Sequence, residues 1–333
     1  MIGFFLEKVR KIVRSIGKLE FNIIDMIILN NNLRSINKVT VNDNHFKRIN
    51  DEFKSNKNLP KKMVIVVCFH YSKKKLKILS KTLHNLSLYR FKKDITILTN
   101  ALNIHQKKIL KKIINKNKVI CSIKEIKDLP ENNLLPWYSL NLMREKIKNK
   151  NNSHFMFLED DIIVNNNNIK YWIYFRKILK KNNLIPGFIR YEKYKGKKFS
   201  VDNPEKINLK KLPKIVTKSN KNGFVNPKFP YHAMYLMDRD LMKKYLSSNA
   251  INLDFGFTNK IMKSQHPIKE LANISHAYLK TPKGYRNNFM VPFEEEKKLP
   301  FYCLIQHNVT KYVNFKKLNK MGFGTININD LII

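Results

Sequence analysis

The sequence predicts an α/β protein: an open, mostly parallel sheet flanked by helices, followed by a mixed α+β half and preceded by a basic helical extension. Three observations predict it. From Lys62 onward short β-branched runs alternate with helical segments, the pattern that builds βαβ units with right-handed crossovers. At 333 residues and 43% hydrophobic side chains, the chain has enough apolar material for a sizeable core and far too much for a disordered one. The run Met63-Val-Ile-Val-Val-Cys-Phe69 is apolar throughout, as a strand buried on both faces of a parallel sheet requires.

The elements follow in order. Residues 1–59 read as an N-terminal extension in which Phe5, Val9, Ile12, Ile16 and Leu19 recur at helical spacing, with Lys8, Arg10, Lys11, Arg14 and Lys18 on much of the remaining surface. Two readings fit this basic amphipathic helix: an apolar face docked on the protein's own core, or a helix lying on anionic lipid headgroups. Residues 30–60 read as a polar linker of weak helical character. Strand 63–69, helix 74–86, strand 94–99, helix 104–115, strand 119–123, helix 137–148 and strand 154–158 then make residues 60–165 an α/β half, with ligands expected at the carboxyl ends of its strands. Past Ile162 the alternation becomes irregular. Helix 169–180, strand 187–191, a polar loop, strand 231–237 and helix 239–246 make residues 166–333 a mixed half built onto the same sheet.

Lys and Arg number 65 against 25 Asp and Glu, a formal charge of +40, which by itself points to a polyanion or an anionic membrane surface. The composition of that charge argues otherwise. There are 55 Lys but 10 Arg, alongside 43 Asn, whereas nucleic-acid readers draw on the bidentate fork of Arg. Lys, Asn and Ile together match the residue bias of an AT-rich genome, so no specific nucleic-acid partner is expected. Cys68, Cys121 and Cys303 are odd in number and form no CxxC, so neither a disulfide framework nor a zinc cluster is indicated, and a reducing, cytoplasmic setting is expected. Asp25 interrupts the best early apolar stretch, and Glu7, Lys8, Arg10, Lys11 and Arg14 stand where a signal peptide would be apolar. The expectation is therefore no spanning segment and no signal peptide, with any membrane contact peripheral, on the inner face.

The sharpest local signal is Phe155-Met-Phe-Leu-Glu159-Asp160-Asp161-Ile-Ile-Val164, three consecutive carboxylates between two apolar runs. Desolvation and mutual repulsion oppose ionising all three at the end of a buried strand unless a cation or several hydrogen bonds compensate. A hard divalent metal, Mn²⁺ or Mg²⁺, is the natural partner. Such an ion keeps positions open for water and substrate phosphates, which points to a phosphorylated ligand. The competing structural reading is a solvated acidic turn.

This segment resembles the Asp-x-Asp motif of GT-A fold glycosyltransferases, which sits at the end of the fourth strand of their nucleotide-sugar domain. The Glu-Asp-Asp form is similar to the variant of inverting N-acetylglucosaminyltransferases and several bacterial relatives. The resemblance spans residues 62–310 in order of elements, with only the three acids specific. It implies a GT-A-like sheet, a nucleotide-sugar half over residues 60–165, and an acceptor-binding, catalytic half over residues 166–333. By the same resemblance Asp161 holds Mn²⁺, Asp160 and Glu159 face the donor's ribose and sugar, and no Gly-rich phosphate loop is needed.

Other positions join this set. His70 and Tyr71 follow the first strand, where the fold places groups against the nucleotide base; a plain surface turn is the alternative. Asn100, in Thr99-Asn100, stands where the fold often carries a base-reading Asp, and this departure leaves the base open. Arg144, on the helix leading into the acidic strand, is a candidate for a donor phosphate or for a surface salt bridge. Inverting transfer needs a base beside the acceptor hydroxyl. Asp254, in Asn252-Leu-Asp254-Phe-Gly-Phe257, is the candidate, because large apolar neighbours raise a carboxyl's pKa and its position resembles that of the family's catalytic acid. The alternative is a cap for a helix at 258–263. Asp238 and Asp240 suit an N-cap and a first helical turn instead. These enzymes often place a C-terminal histidine on the metal: His307 is the first choice and His276 the second, while His232 is a candidate for the acceptor site.

The leading functional expectation is thus a metal-dependent glycosyltransferase acting from a nucleotide-diphosphate sugar onto a glycan or lipid-linked acceptor of a bacterial surface polysaccharide. Its rivals are a nucleotidyl or phosphoryl transferase with the same acids, which lacks a second acidic strand, and a basic nucleic-acid-binding protein, which lacks Arg and any basic motif interleaved with aromatics.

Overall fold

A computed structural model describes residues 36, 39–55, 58–129, 132–227, 233–247 and 289–333. The amphipathic stretch at residues 5–19, Asp254, His232, His276 and the helix expected at 258–263 lie outside the described residues.

The fold is α/β, with a central sheet of five strands in the order Met234–Asp238, His154–Glu159, Lys62–Phe69, Lys92–Asn100, Cys121–Ile126. Strands β1 (Lys62–Phe69), β2 (Lys92–Asn100), β3 (Cys121–Ile126) and β4 (His154–Glu159) are mutually parallel, and β11 (Met234–Asp238) runs antiparallel along β4. β1 earns its central place by sequence. Seven of its eight residues are buried, and an all-apolar strand is stable only where helices cover both sheet faces. The crossover helices are α2 (Leu76–Ser87), α3 (Ile104–Lys116) and α4 (Tyr138–Lys146), and α1 (Asp43–Lys54) precedes β1. Past β4 come β5 (Ile162–Ile163) and α5 (Asn166–Leu179), and α6 (Arg239–Leu246) follows β11.

The abundant asparagines begin several of these helices. Asn42, Asn103 and Asn165 each accept the N–H of the third helical residue, and that residue's side chain returns the bond in a capping box. Asp238 caps α6, accepting the N–H of Leu241 at 2.7 Å, which is the N-cap role expected of it.

Where residues 30–60 read as a linker, α1 is a twelve-residue helix seated on the core. Phe46 packs 5.3 Å from the ring of Phe175 on α5 and 5.5 Å from Phe224. Asp43 accepts from Thr217, Ser219 and Asn222. With so few apolar residues the helix is legible only from this tertiary packing.

The second half forms two further sheets of short strands. One runs β6 (Ile185–Pro186), β12 (Phe289–Phe293), β10 (Gly223–Val225), β9 (Lys214–Val216). The other runs β5, β13 (Leu304–His307), β7 (Ile189–Tyr194), β8 (Lys197–Ser200). The strand expected at 187–191 begins at Ile189. Gly187 instead lies under the Phe289 ring, where an added Cβ would collide with a ring carbon, and its N–H bonds Met290 O at 2.7 Å. The strand expected at 119–123 shifts to Cys121–Ile126 after Lys118, whose positive φ of 51° turns the chain. One continuous apolar cluster joins the central sheet to both smaller sheets. Among the described residues no helix is long and apolar enough to cross a membrane.

Candidate active site at the carboxyl end of the central sheet

β1 and β4 lie side by side and parallel, with Cys68 opposite Glu159, so their carboxyl ends open at the same place. There the chain leaves one sheet for another. Asp160 donates its N–H to Cys68 O at 3.1 Å, the backbone turns through Asp160 and Asp161, and β5 pairs with β13 so that Ile162 faces His307. Helix α2 and the residues just after it fix the turn from the side: Thr82 Oγ1 donates to the Asp160 carbonyl at 2.7 Å, and Asn85 and, past the helix end, Tyr89 both donate to the Val164 carbonyl.

Each acid has a different surrounding. Glu159 is half-buried at the strand end. Asp160 is only 3% exposed; its Oδ1 lies 3.0 Å from Lys75 Nζ, and its Oδ2 is buried with no hydrogen-bond partner among the described residues. Burial, then the charge of Asp161, push its carboxyl well above the usual range, against the pull of Lys75. Asp161 places Oδ2 3.3 Å from His307 Nε2, while its Oδ1 is likewise buried without a partner among the described residues. Burial alone would raise this carboxyl. The hydrogen bond and charge of His307, with the charges of Arg190 and Lys75, outweigh burial and hold it low.

His307 is held from behind. Its Nδ1 lies 2.6 Å from Glu192 Oε1, and the two carboxylates raise its pKa despite burial. Glu192 is fully buried on β7, two residues along the strand and on the same face as Arg190, which is 2% exposed. Arg190 forms a two-pronged pair with Asp202, Nε to Oδ2 at 2.9 Å and Nη2 to Oδ1 at 2.5 Å, and its guanidinium carbon stands 5.2 Å over the ring centre of Tyr312.

The expected base-side residues also meet. Tyr71 donates its N–H to Asn100 Oδ1 at 2.7 Å, joining the ends of β1 and β2, and its hydroxyl is buried without a partner among the described residues. His70 is half-buried beside it. Arg144 is exposed on α4, where it bonds Asn141 Oδ1 at 3.2 Å in its own helix. Asp161 and His307 are therefore brought together, as are His70, Tyr71 and Asn100. Arg144 is bonded within its own helix, and Asp254 lies outside the described residues.

Sequence reasoning missed Lys75, Arg190, Glu192 and Asp202. One signal was available for two of them: Arg190-Tyr-Glu192 puts two charges on one face of a strand that otherwise reads as core. Lys75 had none, standing in Lys73-Lys74-Lys75 among many lysines.

The side chains present fit a divalent cation in chemistry and leave its shell incomplete. Two buried carboxylate oxygens lack partners among the described residues, carboxylates suit Mn²⁺ and Mg²⁺, and a carboxylate on the far nitrogen of an imidazole is the usual support of a metal-bound histidine. Among the described residues no group of three His, Cys, Asp or Glu side chains is gathered closely enough to hold a metal alone. Asp161 and His307 would supply two positions of such a shell, and substrate and water would have to complete the rest. No protein-family model matches this chain, and no curated protein matches it.

Proposed function

We propose that the chain is a metal-dependent glycosyltransferase of GT-A type that moves a sugar from a nucleotide-diphosphate donor to a glycan or lipid-linked acceptor. One observation carries the reading. At the carboxyl end of β4 the neighbouring acids Asp160 and Asp161 each present a buried carboxylate oxygen without a partner among the described residues, with His307 Nε2 beside the second. Buried charge is costly unless compensated, and a divalent cation held by these groups would compensate it.

In this reading Asp161 and His307 hold Mn²⁺ or Mg²⁺, which when bound neutralises the diphosphate as it leaves. Glu159 and Asp160 face the donor's ribose and sugar. Tyr71, oriented by its N–H bond to Asn100, stacks on the base with His70 alongside. Lys75, whose ammonium already sits at the acids, is better placed than Arg144 to meet the donor phosphates. Asp254 takes the acceptor hydroxyl proton, giving inversion. Cytoplasmic location and peripheral contact with an anionic membrane belong to the same proposal.

The test is a panel of nucleotide sugars incubated with and without Mn²⁺, scored by release of nucleotide diphosphate, on the wild type and Asp161→Ala. Mn²⁺-dependent release is expected from the wild type and none from the variant. Undiminished Mn²⁺-dependent donor binding by Asp161→Ala would sink the site, and pyrophosphate release in place of nucleotide diphosphate would point to nucleotidyl transfer.

A further inference from the structure

Glu192 lies behind the metal-facing residues and has no assigned part in the proposed reaction. It is fully buried, and its two oxygens take four donors. Oε1 accepts from His307 Nδ1 at 2.6 Å and from the backbone N–H groups of Lys311 and Tyr312, each at 3.1 Å; Oε2 accepts from the N–H of Val313 at 2.9 Å. Those three amides belong to the first turn of α7 (Lys311–Asn314), which leads directly into α8 (Lys316–Asn319).

A buried carboxylate is a poor filler of space, because an apolar side chain of similar volume avoids its desolvation cost. Two tasks here need the charge. A carboxylate can only accept, so it takes Nδ1–H from His307 and leaves Nε2 toward Asp161, fixing the ring's orientation and, once a cation displaces the Nε2 proton, the tautomer that can ligate it. The same group gathers three N–H groups at the start of a helix, where negative charge is favoured.

We infer that Glu192 is the positioning residue of this site: it aims His307 Nε2 at the Asp161 carboxylate and ties the seating of that imidazole to the ordering of residues 311–319. The cation half of this inference rests on the metal-dependent reading above; the link to residues 311–319 does not.

Mn²⁺ is the probe, applied to the full chain. Its binding is followed by loss of the free-ion paramagnetic resonance signal, and imidazole coordination by the spin-echo modulation of a directly bound nitrogen. Wild type should bind Mn²⁺ with nitrogen modulation. Glu192→Gln, which replaces one acceptor oxygen by a donor amide, should weaken Mn²⁺ roughly tenfold to a hundredfold, lose the nitrogen modulation as His307→Ala does, and raise amide hydrogen exchange at residues 311–313 in the metal-free chain. A merely structural role predicts faster exchange alone. Wild-type nitrogen modulation and affinity in a folded Glu192→Gln overturns the inference. Should that variant fail to fold, Glu192→Asp decides: it retains the charge but falls short of His307, so a loss of modulation supports the inference and wild-type behaviour overturns it. Failure of the transferase reading looks different. Nitrogen-coordinated Mn²⁺ without nucleotide-diphosphate release sinks that reading alone, Mn²⁺-dependent release without nitrogen coordination sinks the cation half of this inference alone, no Mn²⁺ binding by wild type sinks that reading and the cation half together, and unchanged exchange at residues 311–313 in Glu192→Gln sinks the link to residues 311–319.

Discussion

Lys75 Nζ stands 3.0 Å from Asp160 Oδ1, joining the turn after β1 to the acid at the end of β4 across 85 residues of sequence. The two ends of this pair are unlike: the Lys75 side chain is 41% exposed and that of Asp160 4%. Removing the ammonium strands a buried carboxylate, whereas removing the carboxylate strands nothing. Lys75→Met should therefore cost about 1–2 kcal/mol, below the range for fully buried pairs because water reaches the lysine. Lys75→Met combined with Asp160→Asn should recover most of that loss. Urea denaturation of the single and double variants without metal checks it; additive losses would mean that the pair is not coupled.

Asn168 links the first turn of α5 to the strand that carries His307. It is fully buried; its Oδ1 accepts the N–H of Asn165 at 2.8 Å, and its Nδ2 donates to the carbonyls of Tyr302 at 2.7 Å and Leu304 at 3.0 Å. Asn168→Asp keeps the shape but turns the donor into an acceptor facing two carbonyl oxygens. The expected cost is about 3 kcal/mol or more, against roughly 1–3 kcal/mol for Asn168→Ala, which removes the partner without adding repulsion. Equal stabilities of the two variants in urea would show that the amide donor is not what holds β13.

What the sequence made legible follows the range of the interactions involved. The βαβ series from Lys62 to Glu159 was readable because each element declares itself locally, through an apolar run or an apolar face recurring every turn. The three acids were readable because they are adjacent in sequence and flanked by core. The small sheets were not: β5 and β6 have two residues each and β9 and β10 three, too few for any period to show, and their partners are distant in sequence. Glu192 and His307 are 115 residues apart. His307 was reachable only through the resemblance, which implies a C-terminal histidine on the metal, while Glu192 and Lys75 are common residue types that acquire meaning only from what the fold sets beside them.

His154 opens β4, with its ring edge-on to Trp172 at 6.3 Å and its Nδ1 3.0 Å from Ser153 Oγ. Burial pushes its pKa from 6.5 down to about 4, with Asp238 opposing and Lys177 assisting. The folded chain therefore holds this ring neutral where the unfolded chain protonates it. The contribution to stability is fully present above pH 6.5 and is lost as pH falls toward 4, by about 1.4 kcal/mol per pH unit. His154→Gln should remove this part of the acid sensitivity, narrowing its stability deficit relative to wild type by about 2 kcal/mol between pH 8 and pH 5. Urea denaturation of both proteins at the two pH values tests this, and parallel pH profiles would place the proton uptake on another group.

The formal charge of +40 separates a transferase from a nucleic-acid binder only when salt is varied. A chain this basic binds DNA or RNA at low salt whatever its job, since release of condensed counterions is independent of sequence. If the basicity reflects composition, with 55 Lys to 10 Arg, the affinity should fall to the nonspecific range of roughly 10⁻⁴ to 10⁻⁶ M near physiological salt, with little preference among sequences. Donor-dependent chemistry should respond less steeply, because the acids at the end of β4 are buried and buried charges are screened less than exposed ones. A salt series that follows both nucleic-acid binding and Mn²⁺-dependent release of nucleotide diphosphate on one preparation decides the matter. Nanomolar, sequence-selective binding that survives physiological salt, without sugar transfer, would overturn the proposed function.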